Sequence, residues 1–155
     1  MKKQRIYIDT SVVGGCFDEE FSEWSLKLFD LFLAGEMIPV VSALTRIEME
    51  SAPDRVQRQL ALLRDPIRED VVLTPWAKEL ADRYINRNVL SSKHIVDAQH
   101  IAIATVEAVD VLVSWNFKHV VNYFRIRGYN AVNMELGFRQ IEIRSPREVL
   151  YEKDL

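Results

Sequence analysis

Short apolar runs alternate along this chain with segments whose apolar residues recur at three- and four-residue steps. Ile6-Tyr7-Ile8, Ile38-Pro39-Val40-Val41 and Val111-Leu112-Val113 are too brief for helices and too continuous for strands with one wet face. Runs of this kind suit strands buried on both sides. Strands separated by helices pair in parallel, and each crossover helix covers a face of the sheet. The expected fold is α/β, a three-layer sandwich with a central, mostly parallel sheet flanked by helices.

Arg5 to Ile8 reads as the first strand, and the Gly14-Gly15 pair predicts a loop or short turn after it. Phe21, Trp24, Leu28, Leu31 and Phe32 define a helix from Phe21 to Ala34, with Gly35 as its stop. Ile38 to Val41 is a strand in which Pro39 fits only near the start or an edge, and Ser42 to Ser51 is a helix. Asp54 to Arg64 and Pro75 to Leu90 are helical by periodicity, with Val71-Val72-Leu73 an extended link between them. Ser91-Ser92 offer caps for a helix running to about Val109. Val111 to Trp115 is a strand, Lys118 to Ile126 a short helix before Gly128, and Ala131-Val132-Asn133 the last core strand. Ile141-Glu142-Ile143 alternates like an edge segment, and Ser145-Pro146-Arg147-Glu148 has the form of a capping box opening a terminal helix.

With 155 residues and 48% hydrophobic content, one compact domain spanning residues 1–155 is expected, and the chain holds no repeat or low-complexity tract. Twenty Lys plus Arg against 23 Asp plus Glu give a net charge of -3, so a broad polyanion-binding surface is not expected and any nucleic-acid contact is local. Cys16 is the only cysteine, which excludes an internal disulfide and cysteine-rich zinc sites and agrees with a reducing compartment. Met1-Lys2-Lys3-Gln4-Arg5 resembles a secretory n-region, but only three apolar residues follow before Asp9, against the roughly 7–15 an export signal needs. A soluble, cytoplasmic protein without membrane association is the expectation.

In open parallel sheets, ligands bind beyond the carboxyl ends of the strands. Asp9 and Asn116 follow their strands and belong to that edge, whereas Asp110 precedes its strand and belongs to the opposite one. Asp97 interrupts the apolar helical segment from Ile95 to Ala104, where a buried carboxylate needs a partner. Glu48 shares a helix face with Leu44 and Ser51 and points inward; Glu50 points away. A fold gains nothing from massing bare carboxylates, so Asp9, Glu48, Asp97 and Asn116 together point to a hard-metal site.

Tyr7-Ile8-Asp9-Thr10-Ser11, Arg46-Ile47-Glu48, Asp97 with its trailing alanines, and Val111-Leu112-Val113-Ser114-Trp115-Asn116-Phe117 resemble, in order and spacing, the PIN-domain ribonucleases, most closely the VapC-type toxins of bacterial toxin–antitoxin pairs. The resemblance covers nearly the whole chain. It implies metal-dependent hydrolysis of RNA phosphodiesters, with Mg²⁺ or Mn²⁺ as cofactor and a metal-bound water as nucleophile. On that reading Asp9 and Asp97 are direct ligands, Glu48 ligates the metal or orients the water, and Asn116 with Ser114 holds water or substrate phosphate. Many relatives carry Asp where this chain has Asn116, so one negative charge is missing. Thr10 and Ser11 are expected to support the cluster. Arg46, Lys93, His94, Lys118 and His119 are candidates to steer RNA, and neither His94 nor His100 is assigned to metal.

The helix from Phe21 to Phe32 carries more large apolar side chains than one buried stripe needs, which agrees with the homodimers common in PIN-like proteins. A small antitoxin protein is a further partner that the resemblance implies. Two rivals stand beside this reading. A haloacid-dehalogenase-like phosphatase also begins with a strand ending in Asp, but its second acid falls on Ser11 and no late Asp-Asp pair matches. A catalytically impaired PIN-fold RNA- or protein-binding module is the other, motivated by Asn116.

Overall fold

The computed structural model describes residues 2–151; Met1 and residues 152–155, the ends of the expected domain span, lie outside the described residues. In chain order the elements are β1 (Gln4–Ile8), α1 (Thr10–Gly15), α2 (Ser22–Leu33), β2 (Met37–Ser42), α3 (Ala43–Met49), α4 (Asp54–Ala61), β3 (Glu69–Val71), α5 (Pro75–Asn86), α6 (Ile95–Val106), β4 (Val111–Val113), α7 (Tyr123–Glu135), β5 (Ile143–Arg144) and α8 (Pro146–Tyr151). A 3₁₀ turn over Ser92–His94 leads into α6. All strand pairs are parallel, in the order β3-β2-β1-β4-β5. The architecture is the three-layer α/β sandwich expected from the alternation of runs.

Period-2 alternation along each strand separates two apolar cores. Tyr7, Val40 and Leu112 point to one side, where they meet Leu80 and Tyr84 of α5, Ile101 and Ala102 of α6, and Tyr129 of α7. Ile6, Ile8, Val41, Val111 and Val113 point to the other, against α1, α2, α4 and α8. Pro39 is tolerated inside β2 because β3 pairs only from Val40 onward, so β2 is still an edge on that side at Pro39.

Four expectations are corrected. The residues after Asp9 form α1 rather than a loop, because the Asp9 side chain caps the helix by accepting from the Val12 N–H and Gly15 is a packing residue, not a breaker. Val71-Val72-Leu73 does not run as an extended link between helices; Val71 ends the short strand β3, which hydrogen-bonds to β2. Ser91 and Ser92 do not cap α6: His94 occupies that position, without a side-chain bond to the helix. Lys118 to Ile126 and Ala131-Val132-Asn133 are not a helix and a strand. One helix, α7, spans Tyr123–Glu135, and its buried Tyr129, Val132 and Asn133 fall at helical spacing. Gly128 lies inside it, where a Cβ would come within 2.8 Å of Val89 Cγ1. Asn133 is buried because its amide answers two hydroxyls, accepting from Tyr84 Oη at 2.5 Å and donating to Thr105 Oγ1 at 3.3 Å.

At the close of the chain the capping box forms as expected: Glu148 N donates to Ser145 Oγ (3.2 Å) and Ser145 N donates to Glu148 Oε1 (3.0 Å). Asp110 lies at the amino edge of the sheet, where it is exposed and accepts from the Arg5 N–H at 2.7 Å.

Trp115 ties α1 to α2. Its Nε1 donates to Ser25 Oγ (2.9 Å), Ser25 Oγ donates to the Val12 carbonyl (2.8 Å), and Phe21 stacks on its ring at 4.2 Å between centroids. A Cβ at Gly15 would sit 2.6 Å from Ser25 Oγ and 2.7 Å from Trp115 Nε1. Gly15→Ala is therefore expected to destabilise the protein by about 1–3 kcal/mol, the usual cost of overpacking, read as a lower chemical-denaturation midpoint. An unchanged midpoint would show that this contact yields freely.

Candidate metal centre

Because β1, β2 and β4 run in one direction, Asp9, Ser42 and Ser114 emerge at one edge of the sheet, and the helices that return from that edge begin there. Asp9 is the most enclosed of the expected acids, with 9% of its surface exposed. Its Oδ1 accepts from Ser11 Oγ (2.6 Å) and the Val12 N–H (3.3 Å), and its Oδ2 accepts from Ser114 Oγ (2.6 Å). Both serines are themselves held: Ser11 Oγ accepts from the Trp115 N–H and Ser114 Oγ from the Asn116 N–H, each at 2.9 Å. Burial raises the Asp9 carboxyl above its ordinary value, while His100, Ser11, Ser114 and the Val12 N–H pull the other way.

Glu48 reaches the same edge through His100. The imidazole lies almost wholly inside, with Nδ1 2.6 Å from Tyr7 Oη and Nε2 2.7 Å from Glu48 Oε1. An ionised carboxylate only accepts, so Nε2 is the donor. Tyr7 Oη also lies 2.8 Å from Ser42 Oγ, which makes a chain of polar contacts from the end of β2 through β1 and α6 to α3. Glu48 itself is exposed, so His100 is what fixes its direction. His100 was missed in sequence; its signal was a polar residue three positions after Asp97 on the same face of an otherwise apolar helix.

Asp97 is half-buried in the first turn of α6. Among the described residues, the trio of His, Cys, Asp or Glu ligand atoms within 4.8 Å of one another is His94, Asp97 and His119. The two imidazoles lie 3.7 Å apart between centroids. Burial, and then the nearby His94, push the His119 imidazole below its ordinary value against the opposing pull of Asp97. The structure thus sets Glu48 on His100, whose charge also favours the ionised form of Asp9, and brings Asp97 together with His94 and His119.

Asn116 links the two halves. Its backbone N–H bonds to Ser114, while its Oδ1 accepts from the N–H groups of His119 (2.9 Å) and Lys118 (3.2 Å). The side-chain oxygen expected to meet metal or water caps the turn that carries His119. Thr10 Oγ1 is buried without a partner and makes no bond to Asp9. Arg46 pairs with Asp70 at 2.8 Å, beside the β2–β3 edge, whereas Lys93 and Lys118 are exposed.

No protein-family model and no curated protein sequence matches the chain. Solved structures do. VapBC2 from Rickettsia felis, bound to a DNA fragment from their promoter, matches with a TM-score of 0.59 at 11% identity, over 92% of this chain and 98% of that one. VapC20 of Mycobacterium tuberculosis, a Sarcin-Ricin loop cleaving toxin, matches with a TM-score of 0.55 at 12% identity, over 88% of this chain and 98% of the other. This chain has a VapC-like PIN fold. At such identities the likeness concerns the path of the backbone; the chemistry rests on the residues above. No helix among the described residues is long and apolar enough to cross a membrane.

The donor set fits a hard divalent cation. A carboxylate offers about four lone-pair sites, and Asp9 uses three of them on Ser11, Val12 and Ser114, leaving one on Oδ2. Glu48 keeps Oε2 free of His100. A cation at this edge would also offset the burial that opposes ionisation of Asp9.

The raised Asp9 value carries a sign. A carboxyl whose folded value lies above its unfolded one adds stability at low pH, and that stability is lost as pH rises through the folded value. Asn caps a helix as well as Asp and carries no charge. Asp9→Asn is therefore expected to melt at the same or a higher temperature than wild type at neutral pH in EDTA, with the difference closing toward acid pH. A large fall in neutral melting temperature would mark Asp9 as a structural anion.

Proposed function

We propose that this protein is a metal-dependent endoribonuclease that hydrolyses RNA phosphodiester bonds, with Asp9, Glu48 and Asp97 as its acidic residues and Mg²⁺ or Mn²⁺ as its ion. One observation carries the reading: a buried carboxylate at the end of the central strand is held by two serines with a lone pair to spare, beside a glutamate aimed by a buried histidine. The likeness in fold to VapC toxins supports it, and one of those relatives is a toxin that cleaves the Sarcin-Ricin loop.

When bound, the cation would supply Lewis-acid activation of water and offset charge on the phosphorane. The protein's part is positional. Ser11 and Ser114 fix the Asp9 carboxylate in one orientation, and His100, braced by Tyr7, does the same for Glu48. Glu48 is exposed enough to accept a proton from an attacking water at its free oxygen. Asn116 acts through the turn it caps, and Lys93 and Lys118 at the same edge meet RNA phosphate. Arg46 contributes less to RNA than to holding Asp70.

The same reading makes the protein the toxin of a toxin–antitoxin pair in the cytoplasm, restrained by a small antitoxin. One neighbour in fold is a VapBC2 assembly, which supports such a partner. Homodimerisation is proposed through α2, whose Leu26 and Leu33 are exposed while Leu28, Phe29 and Phe32 fill the core.

Purified protein is expected to cleave RNA with Mg²⁺ or Mn²⁺ and to lose cleavage in EDTA. Asp9→Asn and Glu48→Gln should each fall by more than about 100-fold, since loss of even an outer partner of a metal ligand costs roughly 10–100-fold. If wild type and both variants are equally inert across a panel of structured RNAs, a non-catalytic RNA- or protein-binding module becomes the better reading.

A further inference from the structure

Three residues near the acidic edge carry a different donor chemistry. His94 comes from the N-cap of α6, Asp97 from its first turn, and His119 from the turn after β4, 25 residues after His94. The fold, not the local chain, brings their ligand atoms within 4.8 Å of one another. None of the three side chains is hydrogen-bonded or ion-paired to another. His119 Nδ1 is buried without any hydrogen-bond partner, an unfavourable arrangement unless something binds there.

We propose that His94, Asp97 and His119 bind a borderline transition cation of the Zn²⁺ class through two imidazole nitrogens and one carboxylate oxygen. Imidazole favours such ions, whereas Mg²⁺ prefers oxygen alone. Ligands about 2.0–2.2 Å from a tetrahedral ion lie roughly 3.3–3.6 Å from each other, which small rotations reach from the spacing seen here. Three protein ligands and one open position are also the pattern of reactive rather than structural zinc sites.

The chain that carries the two imidazoles is held in place by hydrogen bonds to its backbone. The His119 backbone is pinned from both sides: its N–H donates to Asn116 Oδ1 (2.9 Å), and its carbonyl accepts from the buried Tyr129 hydroxyl (2.5 Å). The His94 N–H donates to the Ser91 carbonyl (2.9 Å). Asp97 is common to this trio and to the proposed acidic cluster, so an ion here draws that carboxylate away from the cluster. Binding itself does not depend on the protein being a nuclease.

The composition permits a clean test. The chain has three histidines and one cysteine; His100 is engaged at both ring nitrogens and Cys16 is buried, so no second imidazole pair can mimic the site. Zn²⁺ titrated calorimetrically into the intact protein in excess Mg²⁺ should bind one to one and raise the melting temperature. Co²⁺ should give visible absorption of a four-coordinate ion. His94→Ala and His119→Gln should each weaken Zn²⁺ binding at least about tenfold and remove the Co²⁺ signal. Half-exposed His94 supplies the decisive variant should His119→Gln fold poorly. Zn²⁺ binding that is absent in wild type, or that survives unchanged in folded His94→Ala, overturns the proposal. Because no RNA is present, that failure is separate from any failure to cleave.

Discussion

Strand β1 lies between β2 and β4 and runs parallel to both, and the placement of every polar group at the carboxyl edge depends on that pairing. Parallel neighbours end at the same edge, so residues distant in sequence meet there without any local design. Asp9 leaves β1, Ser114 leaves β4 and Ser42 leaves β2, and hydrogen bonds through Asp9 and Tyr7 join all three. Tyr7 points into one core and Ile8 into the other, so the strand that delivers the carboxylate is immobilised on both faces. A side chain anchored this way keeps its orientation at little further cost in conformational freedom.

The edge then divides by chemistry. Around Asp9 and Glu48 the donors to the carboxylates are hydroxyls, a backbone N–H and one imidazole, and they orient the acids without neutralising them through lysine or arginine. Around Asp97 the neighbours are imidazoles with lone pairs of their own. Asn116 couples the halves, with its backbone bonded toward Asp9 and its side chain toward His119. An Asp at that position could accept the same two N–H bonds, so the turn it caps does not require the amide. What the amide changes is the local charge, which is one unit less negative.

Much of the framework was legible in the sequence because burial leaves a periodic trace. The runs at Ile6, Val40 and Leu112 announced a two-sided sheet, and Ser145 with Glu148 announced its capping box. The failures arose where local pattern and tertiary role part company. Gly14-Gly15 looked like a break, yet Gly15 is what lets α1 close on Trp115 and Ser25. Ala131-Val132-Asn133 looked like a strand because a polar residue with long-range partners sat at the end of an apolar pair; the bonds of Asn133 to Tyr84 and Thr105 are invisible in sequence. Asp9 and Asn116 could be placed at one edge by the rule of strand ends. His100 and the pairing of His94 with His119 could not, since they depend on how α6 meets the turn after β4.

The two outer strands of the sheet are short, three residues in β3 and two in β5. Each carries charge, Glu69 and Asp70 on one and Arg144 on the other, and Glu69 is clamped by Arg5 while Asp70 is held by Arg46 and Arg68. So little free backbone, guarded by charge, gives an incoming chain almost no ladder to extend. Growth of the sheet by an added strand is disfavoured at either margin. Whatever macromolecule this protein engages must therefore recognise it through side chains on helices and turns, and its specificity is a matter of shape and charge there rather than of shared main-chain hydrogen bonding.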